Sequence, residues 1–188
     1  MLDFEKFARL YSDKLTSLRQ TSLDITSDEY LTDLDIQVYN FDDIKEAYVS
    51  DVRVSLSSIA STFRSNDALY NKNGKLIFIE FKNGCITSGR AKEEIRSKIS
   101  ESLLILSDIL DSTLKEIRNI CYYVLVYNKE KNELFENQRR YPTYLLGNRL
   151  AHLAGANFLI NGFDRYRVFF HEVYTINENE LENVLNNL

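Results

Sequence analysis

The chain has 188 residues, 44% hydrophobic, 27% charged and 12% aromatic, enough apolar side chain to build a folded core and too much for an intrinsically disordered chain. No run reaches the roughly 18 apolar residues of a membrane span, and Met1-Leu2-Asp3-Phe4-Glu5-Lys6 places charges where a signal peptide needs an apolar stretch. Two cysteines (Cys85, Cys121) and two histidines supply neither a disulfide framework nor a zinc site, so the expectation is a single domain, residues 1–188, in a reducing, cytoplasmic compartment with no membrane partner.

A net charge of −5 argues against a chain that grips nucleic acid by bulk charge. The charge is uneven, however: residues 1–60 hold 12 acidic and 6 basic side chains, whereas residues 139–171 hold five arginines against Asp164. In chain order, Phe4, Phe7, Ala8, Tyr11, Leu15 and Leu18 recur at helical spacing and predict an amphipathic helix over residues 2–19. An acidic, Ser- and Thr-rich segment follows. Leu34, Ile36 and Val38 then alternate with polar neighbours as a half-buried strand does. A short helix is expected over residues 42–49, and strand or extended chain over residues 51–63.

Asn73-Gly74 between two strand-like runs predicts a β-hairpin over residues 68–82, because a type I′ turn needs positive φ at both central positions. Residues 91–112 carry Ile95, Ile99, Leu103, Leu106 and Leu110 on one helical face. Residues 119–127 are apolar throughout and predict a strand covered on both sides. Beyond it come a polar loop at 128–138, a short helix at 144–154 ended by Gly155, a strand at 165–175 and a closing helix at 178–188. The fold class expected is α/β: a central mixed β-sheet flanked by helices.

The hairpin also places chemistry. A two-residue Asn73-Gly74 loop pairs Lys72 with Lys75, so paired positions sum to 147 and Asp67 faces Glu80. Their Cβ atoms then lie about 5 Å apart on one side of the sheet. Period-two alternation adds Lys82 to that side, after Leu76 and Phe78, and turns Ile77, Ile79 and Phe81 to the other. Two facing carboxylates repel unless a cation compensates them, and the ready candidates are a divalent ion or the Lys82 ammonium. Magnesium, or manganese in its place, suits carboxylate oxygens, with the Phe81 carbonyl as a further ligand. Such a metal activates water for attack on a phosphodiester, and Lys82 beside it assists. A solvated sheet edge would also carry Glu-x-Lys; the register that brings in Asp67 makes the metal site the preferred reading.

On these residues the chain resembles the PD-(D/E)XK nuclease superfamily, the restriction-endonuclease-like fold. Ser65-Asn66-Asp67-Ala68-Leu69-Tyr70 stands where that family has the Asp that starts a strand, and Ile79-Glu80-Phe81-Lys82-Asn83-Gly84 stands for Glu-x-Lys. Asn66 replaces the proline of the family name. The resemblance implies an αβββαβ core over about residues 1–127 with a helix-strand-helix extension over 128–188. It also implies magnesium-dependent cleavage of DNA or RNA with Asp67, Glu80 and Lys82 catalytic. Glu5 matches the extra first-helix acid of many relatives but reads better as an exposed helix residue.

Arg90, Lys92 and Arg96 near the start of the second long helix are candidate phosphate contacts, and Arg139, Arg140, Tyr141, Arg149, Arg165 and Arg167 form a softer basic and aromatic set. His152 and His171 read as structural. The expected function is a metal-dependent nuclease, alone or within a larger assembly, with nucleic acid as its partner and a protein or a second copy of the chain as further partners. The rival is a catalytically inactive member of the same fold, an interaction or immunity-type protein that docks on a basic partner.

Overall fold

A computed structural model of the chain describes residues 4–52, 63–140 and 163–188. Eight strands and seven helices are described, in the order α1 (Phe4–Leu10), β1 (Leu15–Ser17), α2 (Leu18–Thr21), β2 (Leu23–Asp24), β3 (Glu29–Tyr30), β4 (Gln37–Asn40), α3 (Phe41–Val52), β5 (Ala68–Lys72), β6 (Lys75–Lys82), α4 (Gly89–Ile109), α5 (Leu114–Arg118), β7 (Cys121–Tyr127), α6 (Glu133–Arg140), β8 (Glu172–Asn177) and α7 (Leu181–Asn187). Six strands form one mixed sheet in the order β1-β4-β5-β6-β7-β8, and β2 with β3 makes a separate small hairpin. Neighbours from β1 to β6 run antiparallel, and β6, β7 and β8 run parallel. The α/β sheet flanked by helices is thus as expected, and β8, from beyond residue 127, lies in the same sheet.

The β5–β6 hairpin forms in the predicted register, with Lys72 opposite Lys75, Tyr70 opposite Ile77 and Ala68 opposite Ile79. Its turn has φ of 53° at Asn73 and 82° at Gly74, the left-handed pair that this turn type requires. Alternation then divides the core. Leu76 and Phe78 pack with Tyr123 and Leu125 of β7 beneath Phe7, Phe41, Ile95, Ile99 and Leu106 from α1, α3 and α4. Ile77, Ile79 and Phe81 pack with Val124 and Val126 on the opposite side, against Leu18, Leu181 and Leu185 of α2 and α7. All seven residues of β7 are buried, as a strand covered on both faces must be.

Helix α4 starts where Ser88 accepts a hydrogen bond from Ala91 N at 3.1 Å, an N-cap that satisfies one of the free backbone donors of the first turn. It covers the predicted helix less its last turn. Several expectations need correction. The first helix stops at Leu10 rather than running to residue 19, and Leu15–Ser17 is instead an edge strand paired with β4. The amphipathic period there is met by a turn, a short strand and α2 in succession, each burying part of the same apolar set. The strand expected from residue 34 begins at Gln37, although Leu34, Ile36 and Val38 do share one core, as their alternation indicated.

Residues 51 and 52 end α3, and residues 53–62 of the predicted extended segment lie outside the described residues. The predicted polar loop at 128–138 is largely helix α6, which buries Phe135 and Glu136. The strand expected at 165–175 is displaced to Glu172–Asn177, preceded by a 3-10 turn over Asp164–Val168. The helix predicted at 144–154, with His152, Tyr141 and Arg149, lies outside the described residues. Among the described residues no helix is long and apolar enough to cross a membrane.

Candidate active site

Three elements meet at the carboxyl-terminal end of β6. The segment leading into β5 is pinned from two sides: Asn66 N donates to Ser102 Oγ of α4 at 2.8 Å, and the Asp67 carbonyl accepts from Phe41 N at the start of α3 at 3.2 Å. Asp67 is thereby held one step before β5, opposite Glu80 in the hairpin register. Its Oδ2 accepts the backbone N–H of Phe81 at 2.6 Å, which ties the carboxylate to the strand that carries Glu80.

Glu80 is 1% exposed. The two carboxylates share one cation, the ammonium of Lys98 from α4, at 2.9 Å from Asp67 Oδ1 and at 2.8 and 3.0 Å from Glu80 Oε1 and Oε2. Lys82 lies on the expected face but reaches away from the pair to Glu94 of α4, at 3.0 Å. The cation beside the acids is therefore Lys98, where the sequence pointed to a divalent ion or Lys82.

Burial, reinforced by the neighbouring Asp67 carboxylate, pushes Glu80 well above the usual carboxylate range against the opposing pull of Lys98. Asp67 moves in the same direction, again chiefly through burial, with Lys98 and the Phe81 N–H offsetting part of it. For Lys98 burial works against the charge, but the two carboxylates outweigh it and hold the ammonium protonated above its ordinary range. One ammonium thus serves two acids, and when both are ionised one of them has no cation of its own in contact among the described residues. Beneath it, the buried hydroxyl of Tyr123 finds no hydrogen-bond partner among the described residues, and burial, with the fields of Glu80 and Asp67, raises its pKa well above the phenol value.

The site opens into a cleft of about 480 Å³, lined on one side by Glu94 and Lys98 of α4 and on the other by residues 21–26 and Leu31. The far wall is the β2–β3 hairpin, a flap whose Ile25 is 87% exposed. Asn83, just past Lys82, fastens the flap: its Nδ2 donates to Asp24 Oδ2, Ser27 Oγ and Glu29 Oε2 at 2.8–2.9 Å, and its Oδ1 accepts from Asn128 Nδ2 at 2.9 Å. Lys131 closes the network on Glu29 Oε2 at 2.6 Å. Hydrogen bonds from Asn83 and then from Lys131 lower the Glu29 carboxyl to about 2.

The structure therefore brings Asp67, Glu80, Phe81 and Lys82 together around one cleft. Arg90, Lys92 and Arg96 do not line it; Lys92 and Arg96 sit about 200° round α4 from Glu94 and Lys98. Arg167 of the softer basic set pairs instead with Glu172 at 3.2 Å. Sequence reasoning singled out Arg90, Lys92 and Arg96 on this helix and passed over Glu94 and Lys98. The missed signal was that Lys98 and Ser102 fall on the stripe of Ala91, Ile95 and Ile99, so two polar residues interrupt a buried helix face.

As metal ligands, Asp67 and Glu80 offer hard oxygens in an open cleft; among the described residues no group of three or more His, Cys, Asp or Glu converges. That set fits magnesium, which is commonly held by one or two carboxylates and keeps its remaining positions for water and phosphate. No protein-family model, curated protein or solved structure matches the chain.

Proposed function

We propose that this chain is a divalent-metal-dependent nuclease that hydrolyses phosphodiester bonds of DNA or RNA at the Asp67–Glu80 site. The observation that carries the reading is a pair of cross-strand carboxylates, Glu80 buried and Asp67 half-buried, with a single ammonium between them at the floor of an open cleft. The antiparallel β4–β5–β6 run followed by α4 and the parallel β7 supports a restriction-endonuclease-like core, and the Glu-x-Lys on its third strand supports the nuclease superfamily.

In this reading Asp67 and Glu80 hold the metal, with the Phe81 carbonyl as a further oxygen. The Phe81 N–H fixes the Asp67 carboxylate so that one oxygen stays directed at Lys98 and the bite it shares with Glu80. A bound magnesium or manganese ion supplies Lewis-acid polarisation of the phosphate and an acidified water. Lys82, anchored through Glu94, presents a fixed positive charge beside the scissile group and orients the attacking water.

The test is cleavage of single-stranded and duplex DNA and RNA in magnesium or manganese. Asp67→Asn and Glu80→Gln are expected to lose metal and activity together, and Lys82→Ala to lower the rate by about 10²- to 10⁴-fold while metal binding persists. Cleavage that survives Asp67→Asn and Glu80→Gln, with contaminating nuclease excluded, would move the chemistry elsewhere. A wild-type protein that cleaves nothing supports the second reading, a binding module for a basic protein. The 390 Å³ cleft between α6 and the end of β8, lined by Glu130, Glu133, Glu136 and Glu178 against Lys129 alone, favours such a partner.

A further inference from the structure

The site carries its own cation on a different element from its acids. Asp67 and Glu80 belong to the hairpin, whereas Lys98 reaches them from α4 and sits within hydrogen-bond distance of both. A two-acid bite is the place where a divalent ion would bind, and here an ammonium with three donors fills it. With both acids ionised the balance is incomplete, because two carboxylates then contact one ammonium. A second feature makes the ammonium movable. Lys98 has a flexible four-carbon stem, its side chain is 17% exposed on the cleft wall, and Glu94 lies one turn earlier on the same helix, close enough for the Lys98 charge to act on it.

We propose that Lys98 is the internal counter-ion of this site: it holds the bite between Asp67 and Glu80 in the metal-free protein, and a divalent cation enters by displacing it toward Glu94 and the cleft. The inference rests on the reading of Asp67 and Glu80 as metal ligands. Ammonium and metal compete for the same oxygens and repel each other, so the site holds one or the other in the bite. The dication balances both carboxylates and the ammonium only one, which sets the direction of exchange at sufficient metal concentration. Lys98 thereby sets the metal affinity and keeps the empty site folded. Once displaced, its ammonium stands in the cleft where a substrate phosphate would lie.

Manganese titration by calorimetry, with thermal melts in EDTA and in manganese, tests this on the full chain. Lys98→Met is expected to bind manganese about tenfold tighter or more, since one neighbouring charge alters a carboxylate's affinity for a cation by one to three powers of ten. The same variant should melt lower than wild type in EDTA and gain more from manganese. Asp67→Asn added to Lys98→Met should abolish the gain in affinity; a gain that persists would place the manganese elsewhere and overturn the proposal. Equal or weaker binding by Lys98→Met, with wild type binding normally, overturns the counter-ion role and leaves the metal site standing. Binding by neither protein overturns both. Should Lys98→Met not fold in EDTA, Lys98→Gln, whose amide still donates to a carboxylate, carries the same comparison.

Discussion

Glu80 carries a stability cost that depends on pH. Its carboxyl is buried beside a second carboxyl, and both effects favour the protonated form. The folded state therefore binds more protons than the unfolded chain at pH values above the ordinary glutamate value of 4.5, so the Glu80 contribution to stability falls as pH rises through that window. Glu80→Gln leaves Asp67 and Lys98 as a balanced pair. In EDTA, urea unfolding across pH 4.5 to 8 should show the variant gaining on wild type as pH rises, while metal-dependent activity is lost. A difference in stability that does not change with pH would show that Glu80 carries no such cost. Lys82 and Lys98 illustrate a further point. Both are lysines near the same acids, but Lys82 contacts Glu94 and Lys98 contacts the pair, so their substitutions should separate in metal affinity.

Two small elements govern the site from outside it. The β5–β6 turn sets the register that makes Asp67 and Glu80 neighbours, and a Cβ at Gly74 would meet nothing within 4 Å. Any cost of Gly74→Ala is therefore the conformational cost of φ 82°, about 1–2 kcal/mol, read from chemical denaturation. Loss of several times that would mean the turn makes contacts beyond its backbone. The β2–β3 flap depends on Asn83 and Lys131 bound to Glu29. Because these contacts lower the Glu29 carboxyl to about 2, they are in place above pH 4.5 and are lost as pH falls toward about 2. Asn83→Ala should raise amide exchange of residues 23–30 while leaving β6 and β7 protected. Unchanged exchange in the flap would show that it is held by packing alone.

Charge decides how the whole molecule meets a polyanion. The cleft is lined by Asp24, Asp67, Glu80 and Glu94 against Lys82 and Lys98, four acids to two bases, within a chain of net charge −5. Binding of nucleic acid through this cleft should therefore need the divalent ion. Fluorescence anisotropy is expected to show no binding in EDTA, and in magnesium a log–log salt dependence with a slope of magnitude about 3 or less, since few phosphates would meet Lys or Arg. Tight binding in EDTA with a steep slope would instead place the interface on another, basic surface.

The placement of Asp67, Glu80 and Lys82 on one face was legible because it follows from local rules: a two-residue turn sets pairing, and alternation sets sides. The long α4 and the apolar β7 were legible for the same reason, since each satisfies one strong period over many residues. Elements of two or three residues were not. Strands β1, β2 and β3 are too short to show a period, and they exist because neighbouring chain completes their hydrogen bonds. Lys98 is the clearest case of the second kind. It lies 18 residues beyond Glu80 on a helix, and no local rule states which turn of that helix crosses the end of β6. Docking of Ile95, Ile99 and Leu106 onto Leu76 and Phe78 decides it, and with it whether Lys98 faces water or the Asp67–Glu80 pair.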